Sequence, residues 1–256
     1  MNYFPFLLSS ALLIGVGLLR SGPATPAATA SRVPVVVELF TSEGCSSCPA
    51  ADALLLELER IQPVPGAEII SLSEHVDYWN RLGWRDPFSA PAYTERQRAY
   101  AQQLGSGVYT PQAVVNGQQE MVGSKRAALL AAIAAAARAP RATVQATIAS
   151  GTLRVQVSGA PAGRTAVLLA LTETGLSTQV GRDENAGRLL RHPAVVRELR
   201  TLGEVGPAGT FAATPALPQN PQWQPANMRA VVLVQQLPSH RIVGVASVRL
   251  ADNVVN

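Results

Sequence analysis

Cys45 and Cys48 are the two cysteines of the chain, and they stand two residues apart in FTSEGCSSCPAADALL, residues 40–55. Residue types in this pattern fit three chemistries: a dithiol cycling with its disulfide, a metal clip, or an inert staple. A structural zinc site takes four ligands. No second cysteine pair exists, and His75, His192 and His240 are scattered along the sequence, which argues against zinc. Two thiolates suit copper(I), with His75 nearby at a strand end, although a capping or core position is the commoner place for a histidine. Glu43, beside the pair, reads as a solvated charge.

The flanking elements decide how reactive the pair can be. PVVVELF, residues 34–40, is short, β-branched and bounded by turn residues, the pattern of a buried strand. From Ser46 to Arg60 the pattern is helical, with Leu54, Leu58 and Ile61 at spacings of four and three. Cys45 therefore falls between the carboxyl end of a strand and the amino end of a helix. Unsatisfied N–H groups and about half a positive charge collect there, and they lower the pKa of a thiol. Ser46 and Ser47 do not obstruct a return of Cys48 toward Cys45, and Pro49 costs little in a first helical turn. In a reduced pair Cys45 is expected to react first, with Cys48 shielded one turn inside.

Compartment bears on the same question. Residues 1–30, MNYFPFLLSSALLIGVGLLRSGPATPAATA, carry an apolar run from Tyr3 to Leu19 and small residues at Ala28 and Ala30. That is the pattern of a secretory signal peptide cleaved after Ala30, and the run is shorter than a membrane-spanning helix of about 20 residues. No cysteine follows the run to carry a lipid. Export places the pair in a periplasmic or secreted, oxidising setting where a disulfide persists.

Removing 30 of 256 residues leaves 226, enough for one large or two ordinary domains. Arg20 leaves with the signal, so the formal charge falls from +4 to +3, with no stripe of Lys and Arg. This excludes a nucleic-acid footprint, and no membrane partner is expected after cleavage. The chain changes character near residue 140. Before it, AEIISL (67–72) reads as a strand, residues 92–104 and 124–138 as helices, the second capped by Ser124, and Asn116-Gly117 as a hairpin turn. After Pro140 the period becomes two, at Val144, Ala146 and Ile148, at Leu153, Val155 and Val157, and at Val167, Leu169 and Leu171. MRAVVLVQQL and RIVGVASVRL flank a turn at Pro238-Ser239-His240, and PAVVRELRTLG fits either a strand or a short helix. The reading is a signal over 1–30, an α/β domain over 31–140, and an antiparallel all-β, sandwich-like domain over 141–256.

The order strand, Cys-x-x-Cys, helix, then Thr110-Pro111 opening a hairpin that ends in Asn116-Gly117, resembles the thioredoxin superfamily. TPQAVVNG is similar to the corresponding run in glutaredoxins. VVELFTSEGCSSCPAADALL, HVDYWNRLGWRDPF, YTPQAVVNG and RDENAGRLLRH together resemble a bacterial secreted thioredoxin-like family catalogued as a domain of unknown function, over nearly all the mature chain. The resemblance implies a thioredoxin-like first domain, a cis Thr110–Pro111 bond opposite the cysteines, and no cofactor. It implies thiol–disulfide exchange with protein thiols or disulfides and a redox partner, with Cys45 attacking and Cys48 resolving. Thr110 and Pro111 would shape the substrate groove and keep metal off the pair. Glu38 would relay protons to Cys48, although it stands seven positions before Cys45 where the family's acid stands six before. Two serines also replace the usual proline between the cysteines. Asp77, Trp79 and Trp84 are candidates for the groove at the carboxyl edge of the sheet, the tryptophans equally for packing. Arg182, Asp183, Glu184, Asn185 and Arg188 read as an ion-paired loop or a docking point between the domains. Two other readings stand beside the enzyme: a copper(I) carrier, and a non-catalytic interaction protein on the same scaffold.

Overall fold

Among the described residues the chain alternates helix and strand in its first half and is mainly β in its second, with two short 3-10 turns at Pro225–Asn227 and Leu250–Asn253. A computed structural model describes residues 1, 3 and 32–253. Apart from Met1 and Tyr3, the expected signal peptide and its cleavage site lie outside the described residues. The first half runs β1 (Val33–Thr41), α1 (Cys48–Ile61), β2 (Ala67–His75), α2 (Pro91–Leu104), β3 (Gln112–Val115), β4 (Gln119–Val122) and α3 (Arg126–Ala136). The second half runs β5 (Thr143–Ala149), β6 (Thr152–Ser158), β7 (Thr165–Glu173), β8 (Ser177–Gln179), β9 (Leu189–Arg191), β10 (Val195–Glu204), β11 (Phe211–Ala213), β12 (Met228–Gln236) and β13 (Ile242–Arg249).

Local chemistry accounts for most of these boundaries. Pro49 sits in the first turn of α1, and Pro91 opens α2, where a missing N–H is not needed. Asn116 and Gly117 both take positive φ (46° and 66°), which the two-residue turn joining β3 and β4 requires. A Cβ on Gly117 would also stand 2.0 Å from the His240 carbonyl oxygen. Ser124 does not cap α3; the residue before the helix is Lys125, and no side chain caps it. PAVVRELRTLG forms the strand β10, whose register against β7 shifts twice, and those irregularities break its alternation.

One eight-stranded sheet has the order β13-β12-β7-β10-β2-β1-β3-β4. β1 and β2 are parallel, and β1, β3 and β4 are antiparallel neighbours. The change of character near residue 140 does not interrupt this sheet. β10 joins β2 through Val195 and Ser73, with the Ser73 N–H donating to Ala194 O at 2.8 Å. Four strands of the second half thus extend the sheet begun by the first. A smaller sheet, β11-β6-β5, shares a core with β7 and β12 through Ile148, Leu153, Val155, Leu169 and Val232, a sandwich-like packing.

Alternation along β1 assigns the faces. Val35, Val37 and Leu39 pack with Leu54, Leu55 and Leu58 of α1 and Leu129 and Ile133 of α3. Val36 and Phe40 point the other way, into cores that include Tyr93 and Tyr100 of α2. A side chain of β1 therefore reaches either α1 or α2, never both.

Candidate functional site

The loop between β1 and α1 delivers the cysteines to the carboxyl edge of the parallel strands. Cys45 and Cys48 are joined as a disulfide with Cα atoms 5.5 Å apart. Cys48 is the first residue of α1, and Cys45 precedes it in the turn closed by the Cys48 N–H on Cys45 O at 3.2 Å. No side chain caps α1 and its first turn holds no acid, so its amide dipoles are free to act on the cysteine loop. The Ser47 hydroxyl lies 3.4 Å from the Cys45 sulfur. Cys45, expected at the open mouth of the helix, is only 1% exposed and Cys48 0%, whereas Ser46 and Ser47 between them are exposed.

Polar side chains on the α1 face of the sheet are buried in the same region. Asp52 follows Cys48 by one helical turn, the i to i+4 relation that places two side chains on one helix face. It accepts a hydrogen bond from the Thr41 hydroxyl at 3.3 Å. Burial pushes its pKa up to about 6, against the opposing influence of His75, His192 and the Thr41 bond. His75 and Asp86 meet at 2.7 Å through Nδ1 and Oδ2. Burial alone would lower the His75 pKa, but the charge and hydrogen bond of Asp86, with Asp52 and Glu43, hold it above the ordinary value. Asp86 titrates below the usual range: burial opposes this, and the His75 pair and backbone N–H groups outweigh it. One of those groups, the Glu43 N–H, donates to Asp86 at 2.9 Å.

Glu43 is itself buried, not solvated. It accepts from Trp84 Nε1 at 2.7 Å, and its other oxygen lies 2.9 Å from His192 Nε2 without the alignment of a hydrogen bond. The His75 and His192 rings stand 4.9 Å apart, and Phe88 lies edge-on to both. Two histidines that look scattered in sequence are thus neighbours, while His240 packs on Tyr100 instead. Among the described residues, no group of three or more His, Cys, Asp or Glu side chains is arranged to hold a metal ion.

The Arg182–Arg188 segment, the β8–β9 connection, closes over the cysteine loop. Asn185, fully buried, donates its side-chain amide to the carbonyl oxygens of Glu43 and Cys45, at 2.8 Å each. Glu184 accepts from the Ser46 N–H at 2.8 Å, and Asp183 from the Trp84 N–H at 2.8 Å. The bonds from Ser46 hold the Glu184 carboxyl below its usual range. Arg188 fixes the Asn185 carbonyl through a 2.7 Å bond.

The other expected site residues divide into two groups. The Thr110–Pro111 bond is cis. Trp79 donates from Nε1 to the Thr110 hydroxyl at 2.9 Å, and its Cβ stands 3.6 Å from where a Cβ on Gly44 would be, so Trp79 links the cysteine loop to Thr110. At Gly123 a Cβ would lie 2.6 Å from Leu39, 3.1 Å from Ala51 and 3.5 Å from Pro111; the bare glycine lets Pro111 approach the first turn of α1. Glu38 and Asp77 are not brought to the pair. Glu38 faces α2, where Arg96 bonds it at 2.6 Å and Tyr100 at 2.5 Å, across the sheet from α1. Asp77 accepts from Thr94 of α2 at 2.5 Å.

The sequence reading missed Asp52, Asp86 and the role of Asn185. Asp52 left a usable signal: it shares the i, i+3, i+4, i+7 stripe of Cys48, Ala51 and Leu55, all buried, where a lone acid is out of place.

A profile of the DUF1223 family, described as a protein of unknown function, matches residues 36–235. Among solved structures, one similar protein is from Agrobacterium tumefaciens, determined by X-ray crystallography as a structural-genomics target. It is 29% identical over 88% of this chain and 98% of its own, with a TM-score of 0.71. HBP35 of Porphyromonas gingivalis is similar in fold, at 14% identity over 87% of this chain and 77% of its own, with a TM-score of 0.58. No curated protein matches. Among the described residues, no helix is long and apolar enough to cross a membrane. The chain belongs to the DUF1223 family.

Proposed function

We propose that this DUF1223 chain is an exported thiol–disulfide oxidoreductase of thioredoxin-like fold, exchanging the Cys45–Cys48 disulfide with thiols of other proteins. One observation carries the reading. The disulfide spans the start of α1, whose terminus no side chain caps, and the buried acids Glu43 and Asp52 stand two residues before Cys45 and four after Cys48, tied to a buried cluster with His75, Asp86 and His192. An inert staple has no use for acids buried this near it in the chain, or for the histidines packed with them, since each costs free energy to desolvate.

In the oxidising direction, a substrate thiolate attacks the Cys45 sulfur. The Cys45–Cys48 bond breaks, its electron pair passes to the Cys48 sulfur, and that sulfur takes up a proton. A second substrate thiolate then attacks the mixed disulfide and releases Cys45 as a thiolate, which the α1 dipole stabilises. The substrate loses two electrons and the pair gains two. The reverse sequence reduces a substrate disulfide, and the relative potentials set the direction. In this reading Asp52, one turn from Cys48, holds the proton that the Cys48 sulfur takes or gives, in the place of Glu38, which faces α2.

Trapping of mixed disulfides tests the reading. Cys48→Ser leaves Cys45 able to attack but with no resolving thiol, so covalent adducts with partner proteins accumulate in the export compartment. Cys45→Ser gives far fewer. Background levels for both variants would contradict exchange.

A further inference from the structure

We infer that the Asp183-Glu184-Asn185 segment is a latch regulating the disulfide, and that exchange proceeds from a state in which this segment has let go of the cysteine loop. The inference rests on the exchange function proposed above.

Three consecutive side chains hold four backbone groups around the pair: Asp183 on Trp84 N–H, Glu184 on Ser46 N–H, and Asn185 on the carbonyls of Glu43 and Cys45. All four bonds join a side chain to the main chain, with Asp183 and Glu184 accepting and Asn185 donating. With these bonds made, the Ser46 N–H and the Glu43 and Cys45 carbonyls beside the pair are already engaged and do not pair with an incoming polypeptide. While the latch is in place, neither sulfur is open to an attacking thiolate, at 1% and 0% exposure.

The latch is also built to detach. It is the tip of a hairpin whose strands, β8 and β9, form a separate two-stranded sheet of three residues each, outside the main sheet. Bonds across its own neck, Val180 N–H to Arg188 O at 2.9 Å and Gly187 N–H to Val180 O at 2.8 Å, hold its shape independently of the cysteine loop. Asp183 takes the left-handed conformation (φ 65°), which aims successive side chains at the loop. Arg182, Glu184, Gly187 and Arg188 are exposed, so the tip is held by polar bonds more than by apolar burial. Segments held in this way occupy the low-stability end of local opening.

The test measures reduction of the oxidised full-length mature protein by dithiothreitol and, separately, by a cysteine-containing peptide, each read by alkylation and mass. Either thiol reagent supplies the two electrons and becomes a disulfide, and Cys45 and Cys48 appear as thiols. Asn185→Ala should accelerate reduction at least tenfold with dithiothreitol, and more with the bulkier peptide. Glu184→Gln, an exposed position that leaves the core untouched, should accelerate both in the same order by a smaller factor. Leu153→Ala, in the core between the two sheets, lowers global stability and should leave both rates at the wild-type value. Wild-type rates in Asn185→Ala and Glu184→Gln would overturn the latch, and so would equal acceleration by Leu153→Ala. The exchange function itself fails on a different result: Asn185→Ala reduced readily by dithiothreitol yet inert toward the peptide thiol.

Discussion

The side-chain amide of Asn185 stands 2.8 Å from the carbonyl oxygen of Cys45, 140 positions earlier in the chain. Through it the second half of the molecule takes part in a site whose disulfide lies wholly in the first half. The same pairing of halves recurs where His192 approaches Glu43 and the His75 ring.

Asp52 makes stability depend on pH in a defined direction. Its pKa rises from 3.8 to about 6 on folding. Between those values the folded protein keeps a proton that the unfolded chain has released, so stability falls as pH rises through the window. Asp52→Asn removes this loss, and at pH 7 the variant should be more stable than wild type by about 1–3 kcal/mol. At pH 4 the difference should nearly vanish. His75 adds a slope of the same sign at higher pH, since its folded pKa is raised and its contribution is lost as pH climbs through that value. Urea denaturation of both proteins at pH 4 and 7 measures the difference, and an equal gap at the two pH values would contradict the assignment.

Glu38 should matter for stability and not for sulfur chemistry. Glu38 and Glu74 share Arg96, and burial beside Glu38 holds the Glu74 carboxyl well above its usual pKa. Arg96→Met leaves a buried carboxylate unpaired and should cost about 3–5 kcal/mol. Glu38→Gln should leave the pH profile of thiol exchange unchanged, because the side chain lies across the sheet from α1. A displaced profile would return Glu38 to the relay.

Trp84→Phe removes the Nε1–H bond to the buried Glu43 carboxylate. The unpaired acceptor should lower stability by about 1–3 kcal/mol, read as a lower midpoint in thermal unfolding. Unchanged stability would mean that water replaces the indole at no cost.

Gly123→Val tests the close approach of Pro111 to α1. A Cβ already meets Leu39 at 2.6 Å, so a branched side chain must push α1 and the hairpin apart. Overpacking of this kind costs about 1–3 kcal/mol, and exchange should slow because the Thr110–Pro111 segment moves from the pair. Wild-type exchange in the folded variant would detach Pro111 from the site.

Much of the site's frame is legible from local pattern. β1 is a β-branched run, α1 shows helical spacing, and Asn116-Gly117 supplies the positive φ values of its hairpin. Which strands lie side by side is not legible: β10 meets β2 at the single pair Val195–Ser73, and no periodicity specifies which sheet edges join. For the same reason His192 reads as isolated until β9 brings the segment before it to α1. The hold of Asn185 on the Cys45 backbone is invisible as well, because the hydrogen bonds of Asn185 are all nonlocal or within its own loop. Glu38 lies on β1 and Asp52 on α1, and the alternation along β1 turns Glu38 to the α2 face, away from the helix that carries Asp52.

The reduction potential of the Cys45–Cys48 pair, measured by equilibration against glutathione and dithiothreitol buffers, tests the exchange function most directly. An exchanging pair should fall within the span of known dithiol oxidoreductases, about −120 to −270 mV. A potential below about −300 mV, the range of structural disulfides, would make the pair a staple and contradict the account.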